Sequence, residues 1–206
     1  MASGGRLVVA GIAAAWLAVG AGVLAAGAAG AAAPPVRCLL TANVDIEGVP
    51  CAAGYAWRFP DGRLQRCTLA RSARVRGAVL PARTIVVFAP NGSCAQVFLP
   101  ETTMVEGHAC RGGGHSYMTG FHPNGRLKLC WLDSEETIQG VPCARASFLG
   151  ELFHRSPSGV ELAADGRLVG CRASRDFSVN GSTYVKGERV GLDRSGRVRP
   201  VGWGLE

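Results

Sequence analysis

A repeated pair of glycines constrains the fold of this chain more than any other feature of its sequence. Five glycines lie in turn sequences, and each of the first four is followed by a second glycine fifteen residues later. The turn glycines are Gly62, Gly92, Gly125, Gly166 and Gly196, and the second glycines are Gly77, Gly107, Gly140 and Gly181. Because the spacing between successive turn glycines varies while the fifteen-residue interval does not, the chain is predicted to be a tandem array with insertions in one loop of each copy.

The residues around these glycines predict β-hairpins. Pro60-Asp61-Gly62 and Pro123-Asn124-Gly125 lie between apolar segments; proline fixes φ, Asp or Asn bonds its own backbone, and glycine supplies a positive φ. The segment 84–88 before one turn consists of strand-forming residues. We therefore predict an all-β fold in which tandem hairpin repeats of about 30 residues stack as a meander or a solenoid-like sheet.

The predicted copies form a single domain over residues 34–206. They lie near 34–61, 62–91, 92–124, 125–165, 166–195 and 196–206. The first copy is partial, but Cys38, Ile46, Gly48 and Cys51 keep the relative spacing of the others.

The first 33 residues resemble a secretory signal. Arg6 precedes an uncharged, Ala/Gly-rich apolar stretch over 7–30, which is followed by Ala-x-Ala sites and Pro34-Pro35. The apolar stretch is also long enough to cross a bilayer, so a retained inner-membrane anchor is the alternative. We expect an exported protein, periplasmic or secreted, that contacts a membrane only if the leader is retained.

Charge and composition indicate no specific nucleic-acid partner. Without Arg6, 21 basic and 15 acidic residues leave a net charge of +6, which is a mild excess. Such an excess is typical of a solvated surface, with contact to a polyanion or an anionic envelope component as the alternative. The Ala/Gly/Arg-rich composition is typical of a bacterium with GC-rich DNA.

The eight cysteines all follow the leader, and an even number in an exported chain indicates disulfides. Seven of them occupy two slots of the repeat, five and eighteen residues after the turn glycine or at the equivalent places of the leading copy. Suppose that the later slot of one copy faces the earlier slot of the next, at what is here called a junction. Each junction then holds either two cysteines or two apolar residues. Pairing within a copy would instead place a cysteine opposite an apolar residue three times. The scheme predicts Cys51–Cys67, Cys110–Cys130 and Cys143–Cys171, with apolar pairs at Leu80–Val97 and Tyr184–Val201.

Two cysteines remain outside this scheme. Cys38 occupies the earlier slot of the leading copy, and Cys94 occupies a position that holds leucine in other copies. Either these two cysteines pair with each other, or Cys94 is a buried thiol.

The turn sequences resemble a known family of repeats. PDGRL at 60–64, PNGRL at 123–127, ADGRL at 164–168 and VKGERV at 185–190 are similar to the MORN-variant class of short bacterial β-hairpin repeats. The chain departs from that class in its cysteines and in its longer period. The resemblance implies a structural or interaction module rather than an enzyme.

One cluster has residue types that bind metals: His108, Cys110, His115 and His122. Zinc or copper requires imidazole and thiolate ligands that converge in one place. Because Cys110 is predicted to form a disulfide, we expect no metal site and no cofactor, and His108, His115 and His122 stay as candidates only.

No motif predicts catalysis. The Gly-rich segment 111–115 could hold an anion with backbone amides but lacks the other parts of a P-loop. His115, Ser116 and Asp133 are the residue types of a nucleophilic triad without its spacing. Trp57, Trp131, Tyr117 and Tyr184 could form a binding stripe, although strand aromatics more often serve packing.

We therefore expect a non-catalytic exported protein with a structural or protein-interaction role in the cell envelope or outside it. Its partner would be a protein or another envelope component. The alternative is a metal-binding protein, a ligand-binding protein or an enzyme, with a site on the inserted loops near His108–His122 and Arg145–Ser158.

Overall fold

A computed structural model of the chain describes residues 33–113, 117–147 and 159–202. These residues form 21 β-strands, numbered β1 to β21 in chain order, and contain no helix. Eleven strands form one antiparallel sheet, here called the main sheet. Each of these strands pairs with the next strand of the same sheet along the chain. They are β1 (Val36–Leu40), β4 (Gly54–Arg58), β5 (Leu64–Thr68), β8 (Ile85–Phe88), β9 (Cys94–Phe98), β12 (Met118–Phe121), β13 (Leu127–Cys130), β16 (Val160–Leu162), β17 (Leu168–Arg172), β20 (Arg189–Leu192) and β21 (Val198–Pro200). The prediction of an all-β fold of stacked hairpins is confirmed.

The other ten strands form five short hairpins. The first follows the single strand β1, and the other four are inserted between consecutive hairpins of the main sheet. The five are β2 (Val44–Ile46) with β3 (Val49–Cys51), β6 (Ala73–Val75) with β7 (Ala78–Leu80), β10 (Thr103–Val105) with β11 (His108–Cys110), β14 (Glu136–Ile138) with β15 (Val141–Cys143), and β18 (Phe177–Val179) with β19 (Ser182–Tyr184). The last four hairpins each begin eleven residues after a turn glycine. Successive long hairpins of the main sheet are therefore separated along the chain by one short hairpin each.

Three of the five long hairpins of the main sheet close with the Pro-Asp/Asn-Gly sequence that predicts these turns. In the turn between β4 and β5, the N–H of Gly62 donates to the Phe59 carbonyl at 2.8 Å. Asp61 Oδ1 accepts a hydrogen bond from the Arg63 N–H at 3.1 Å. Gly62 has a φ of 85° and shifts the register of the two strands by one residue, as expected for a turn that ends in a glycine bulge.

The short hairpins explain the constant fifteen-residue interval. Val75 pairs with Ala78, so Arg76 and Gly77 are the only two residues of that turn, with φ values of 48° and 102°. Positive φ at both positions defines a type I′ turn, which fits the twist of a hairpin and favours glycine in second place. The second glycine of each copy is therefore the second residue of a type I′ turn.

The core lies between the short hairpins and one face of the main sheet. Val86, Val97 and Leu127 on the main sheet are fully buried, as are Leu80 and Val141 on the short hairpins. Burying such a side chain contributes roughly 1.5–3 kcal/mol. The result is a strip of core along the array, with the short hairpins as a layer on one face of the main sheet.

Three disulfides join a short hairpin of one copy to a main-sheet strand of the next. They are Cys51–Cys67, Cys110–Cys130 and Cys143–Cys171, with Cα–Cα distances of 5.7, 5.4 and 5.6 Å. These are the three pairs that the repeat predicts. In the corresponding slots of another junction, Leu80 and Val97 are both fully buried.

Cys38 and Cys94 are free thiols. The strand order β1-β4-β5-β8-β9 separates them by four strand spacings, roughly 19 Å, whereas a disulfide requires Cα atoms within about 7 Å of each other. The alternative in which these two cysteines pair is therefore wrong. Cys94 is the buried thiol of the second alternative, only 3% exposed, and burial raises the pKa of this thiol to about 11.

Disulfides of this number indicate an oxidising compartment, as expected for an exported chain. Within the described ranges, no helix is long and apolar enough to cross a membrane. The leader predicted for residues 1–33 lies, apart from Ala33, outside the described residues.

Candidate functional site

The face of the main sheet opposite the short hairpins, here called the outer face, carries the most distinctive surface chemistry of the described residues. Side chains alternate along each strand, so the neighbours of inward Cys38 and Ala56 point outward. Leu39 is 64% exposed and Tyr55 is 55% exposed. Two large apolar side chains on adjacent strands are thus open to solvent.

Strand pairing arranges the outer side chains in rows that cross the sheet. One row runs over five neighbouring strands, and a second row runs parallel to it. The first consists of Arg37, Trp57, Arg66, Val87 and Gln96. The second includes Leu39, Tyr55, Thr68, Ile85, Phe98 and Met118. Aromatic, aliphatic and cationic side chains are therefore interleaved on one surface.

Two arginines of these rows lie over aromatic rings. Arg37 Cζ is 4.5 Å from the centroid of the Tyr55 ring, and Arg66 Cζ is 4.9 Å from that of Trp57. Each contact contributes roughly 0.5–1 kcal/mol at an exposed site. The ring does not accept hydrogen bonds from the N–H groups at the edge of the guanidinium group that lies over it. Both guanidinium groups are therefore held in place and still have N–H donors for a ligand.

An open depression of about 410 Å³ lies on this part of the outer face. Its lining includes Pro35, Trp57, Gln65, Arg66, Gln96 and Phe98. It combines apolar walls with amide and guanidinium groups, the usual composition of a binding surface. A second depression, of about 290 Å³, lies beside β2 and β3, and its charged lining residues are Asp45 and Arg71.

The arginines of the outer face are held by different partners at its two ends. In the two rows described above, over β1 to β12, the charged side chains are Arg37 and Arg66, without a carboxylate. Towards the other end, Arg189 on β20 forms an ion pair with Glu161 on β16. The Arg189 side chain passes over β17 at Gly170. A residue with a Cβ in that place would have it 2.8 Å from Arg189 Nε, so the glycine makes room for the arginine. Arg37 and Arg66 thus lie over aromatic rings, whereas Arg189 is paired with a carboxylate.

The four aromatic residues that the sequence offers as a binding stripe do not form one surface. Trp57 lies on the outer face with Arg66, whereas Tyr117 and Trp131 pack edge to face with ring centroids 6.0 Å apart. Tyr184 belongs to a short hairpin, where it stacks on Phe177 and donates a hydrogen bond to the Val198 carbonyl. Tyr184 therefore serves packing.

The histidine candidates are held by separate partners. His108 Nδ1 lies 2.7 Å from Glu136 Oε1, and His122 Nε2 donates to the Leu162 carbonyl at 2.8 Å. Cys110 is in a disulfide, and His115 lies outside the described residues. Within residues 33–113, 117–147 and 159–202, no three His, Cys, Asp or Glu side chains are placed to hold a metal ion.

Of the inserted loops, the one near Arg145–Ser158 lies mostly outside the described residues, and the one near His108–His122 is described except for 114–116. Ser116 and residues 148–158 belong to the segments that the structure does not describe. Arg111 extends over the ring of Tyr117 at 4.8 Å and donates to the Ala146 carbonyl at 3.0 Å, so its guanidinium ties two loops together.

Sequence reasoning missed the pairing of arginine with aromatic residues on the outer face. The signal was present in the alternation of Tyr55-Ala56-Trp57-Arg58, with small Ala56 inward and both rings outward. The register of β1 and β5 against β4, which brings Arg37 and Arg66 to these rings, became visible only in the structure.

No protein-family model matches this chain, and no curated protein or solved structure is significantly similar to it. The class of protein is therefore described from its fold and surface. It is an array of β-hairpins held together by disulfides, with aromatic, aliphatic and cationic side chains on one face of its main sheet.

Proposed function

We propose that this is a non-catalytic exported protein that acts as a structural or interaction module in the cell envelope or outside the cell, with the outer face as its contact surface. The observation that carries the proposal is the asymmetry of the main sheet. Short hairpins pack on one face, while the other presents apolar side chains, of which Leu39 and Tyr55 are more than half exposed. Contiguous exposed apolar surface on a folded protein usually marks an interaction site.

Four further features support this proposal. The leader pattern of residues 1–33 and the three disulfides both fit export into an oxidising compartment. Arrays of repeats typically bind through an extended surface built from equivalent positions of successive copies. The resemblance to MORN-variant repeats also implies an interaction module.

Binding of the purified protein to isolated cell envelopes tests the proposal. The variant Leu39→Ser/Tyr55→Ser removes exposed apolar side chains from the outer face. Its matched control is Val79→Ser/Met104→Ser, since Val79 and Met104 are 53% and 62% exposed on the short hairpins. All four positions are exposed, so both variants should fold.

We expect the outer-face variant to lose most of its co-sedimentation with envelopes, at least fivefold, and the control to stay within twofold of the original protein. Equal binding by both variants, or no binding by the original protein, would contradict the proposal. Metal analysis of protein purified from the periplasm or the medium tests the alternative of a metal-binding protein.

A further inference from the structure

We propose that the end of the outer face around Trp57 binds an acidic polysaccharide. This inference rests on the proposed function and specifies the partner of the same surface. It is carried by the placement of Arg37 and Arg66 on either side of Trp57 in one row of the main sheet.

Both arginines keep their guanidinium groups available to a ligand at this end of the outer face. They lie on β1 and β5, separated by β4, so two strand spacings of roughly 10 Å separate their Cα atoms. Among the described residues, neither guanidinium has a carboxylate partner; each lies over a ring instead. A guanidinium can bind a carboxylate with two parallel hydrogen bonds.

Charge complementarity selects an anionic ligand. Both charged side chains in the rows over β1 to β12 are arginines, and the chain without Arg6 carries +6 overall. Between the two arginines, the edge of Trp57 and the depression beside it offer apolar surface for the C–H faces of a sugar ring. Gln65 and Gln96, which also line the depression, have amides that can donate to and accept from hydroxyl groups.

The amide lining of the depression favours a polysaccharide over an acidic peptide. Gln65 and Gln96 line it together with Trp57 and Phe98. Each amide can both donate and accept a hydrogen bond, which suits sugar hydroxyl groups, whereas the carboxylates of an acidic peptide only accept.

Titration with defined oligomers tests this assignment. The probe is an octasaccharide of alternating glucuronic acid and N-acetylglucosamine, and the comparison ligands are an uncharged dextran oligosaccharide, a polyglutamate peptide and a single-stranded oligonucleotide. The variant Arg37→Gln/Arg66→Gln removes both cations, while Arg199→Gln, an exposed arginine of β21 in the continuation of the same row, is the matched control.

We expect saturable binding of the acidic octasaccharide, at least tenfold weaker in Arg37→Gln/Arg66→Gln and unchanged within twofold in Arg199→Gln. Dextran should not bind, and binding of the octasaccharide should weaken as salt rises. Equal or tighter binding of the peptide or the oligonucleotide, equal loss in both variants, or no binding of the octasaccharide would each overturn the inference.

The envelope experiment separates this failure from failure of the proposed function. If Leu39→Ser/Tyr55→Ser abolishes envelope binding but the octasaccharide does not bind, the outer face is the contact surface and its partner is not an acidic polysaccharide. If neither binding is observed, both proposals fail.

Discussion

The junction at Leu80 and Val97 and the junction at Cys110 and Cys130 occupy the same place in the repeat but are held by different interactions. At the second of these, a disulfide is flanked by two backbone hydrogen bonds. The Arg111 N–H donates to the Trp131 carbonyl at 2.6 Å, and the Asp133 N–H donates to the Ala109 carbonyl at 2.9 Å. The other two disulfide junctions have the equivalent pair of bonds, Ala52 to Thr68 with Ala70 to Pro50, and Ala144 to Arg172 with Ser174 to Pro142.

The junction at Leu80 and Val97 has proline at both equivalent donor positions. Pro81 stands where the other junctions have Ala52, Arg111 and Ala144, and Pro100 stands where they have Ala70, Asp133 and Ser174. Because proline has no backbone N–H, neither hydrogen bond can form. Leu80 and Val97 are nevertheless fully buried, which shows that packing of the short hairpin on the sheet does not depend on the disulfide or on these two bonds.

Reduction of all three disulfides should have the largest effect on stability, because it changes every junction except the apolar ones. Each bridge is worth about 3 kcal/mol in the chain-entropy model, so their combined loss is comparable with the 5–15 kcal/mol that stabilises an ordinary domain. Urea unfolding with and without reductant measures this effect. Alkylating the half-buried thiol of Cys38 without reduction is the control, and an equal midpoint in reduced and oxidised protein would contradict the expectation.

Leu80→Ala should have the next largest effect, a loss of about 2–5 kcal/mol in the free energy of unfolding. The side chain is fully buried at a junction with no covalent support. The control is Val79→Ala, at the adjacent exposed position, which should change stability by less than about 0.5 kcal/mol. A loss below about 1 kcal/mol for Leu80→Ala would show that the apolar contact does not hold this junction.

Cys94 lies on the same strand as Val97 and, unlike the six junction cysteines, remains a thiol. Burial raises its pKa from 9.0 to about 11, so the folded chain retains a proton that the unfolded chain loses between these values. The contribution of this thiol to the free energy of unfolding should be fully present below pH 9. The free energy of unfolding should then fall by about 2–3 kcal/mol as the pH rises to 11. Urea titrations at several pH values measure this, and Cys94→Ala should show a correspondingly smaller decrease. An identical pH dependence in both proteins would contradict the account of this thiol.

Pro81→Ala should have the smallest effect, within about 1 kcal/mol. A restored hydrogen bond would contribute roughly 0.5–1.5 kcal/mol, and the gain in entropy of the unfolded chain would offset roughly 0.4–1 kcal/mol of it. Hydrogen exchange at the new amide is the sharper measurement. We expect an amide protected like that of Ala52, and rapid exchange would mean that the two layers lie farther apart here than at the disulfide junctions.

The sequence was sufficient to predict the junctions because the repeat aligns residues that are distant along the chain. Once Gly62 and Gly92 are aligned, Leu80 and Val97 fall into the slots of Cys110 and Cys130, and Pro81 and Pro100 fall into the donor positions. The pairing follows from matching residue types across copies, without knowledge of the strand register.

The two-layer arrangement and the outer face could not be predicted in the same way. Spacing alone does not show that Arg76-Gly77 closes a separate hairpin on one face of the main sheet. The contacts of Arg37 with Tyr55 and of Arg66 with Trp57 depend on the register between strands, which differs from a simple alternation wherever a turn glycine shifts the pairing.

Introducing a disulfide at the apolar junction tests the central claim that the later slot of one copy faces the earlier slot of the next. The variant is Leu80→Cys/Val97→Cys, made with Cys38→Ala and Cys94→Ala so that no other free thiol competes. Non-reducing peptide mapping should find a crosslink between positions 80 and 97, with Cys51–Cys67, Cys110–Cys130 and Cys143–Cys171 intact. A crosslink between positions 80 and 67, or two free thiols after complete oxidation, would contradict the account.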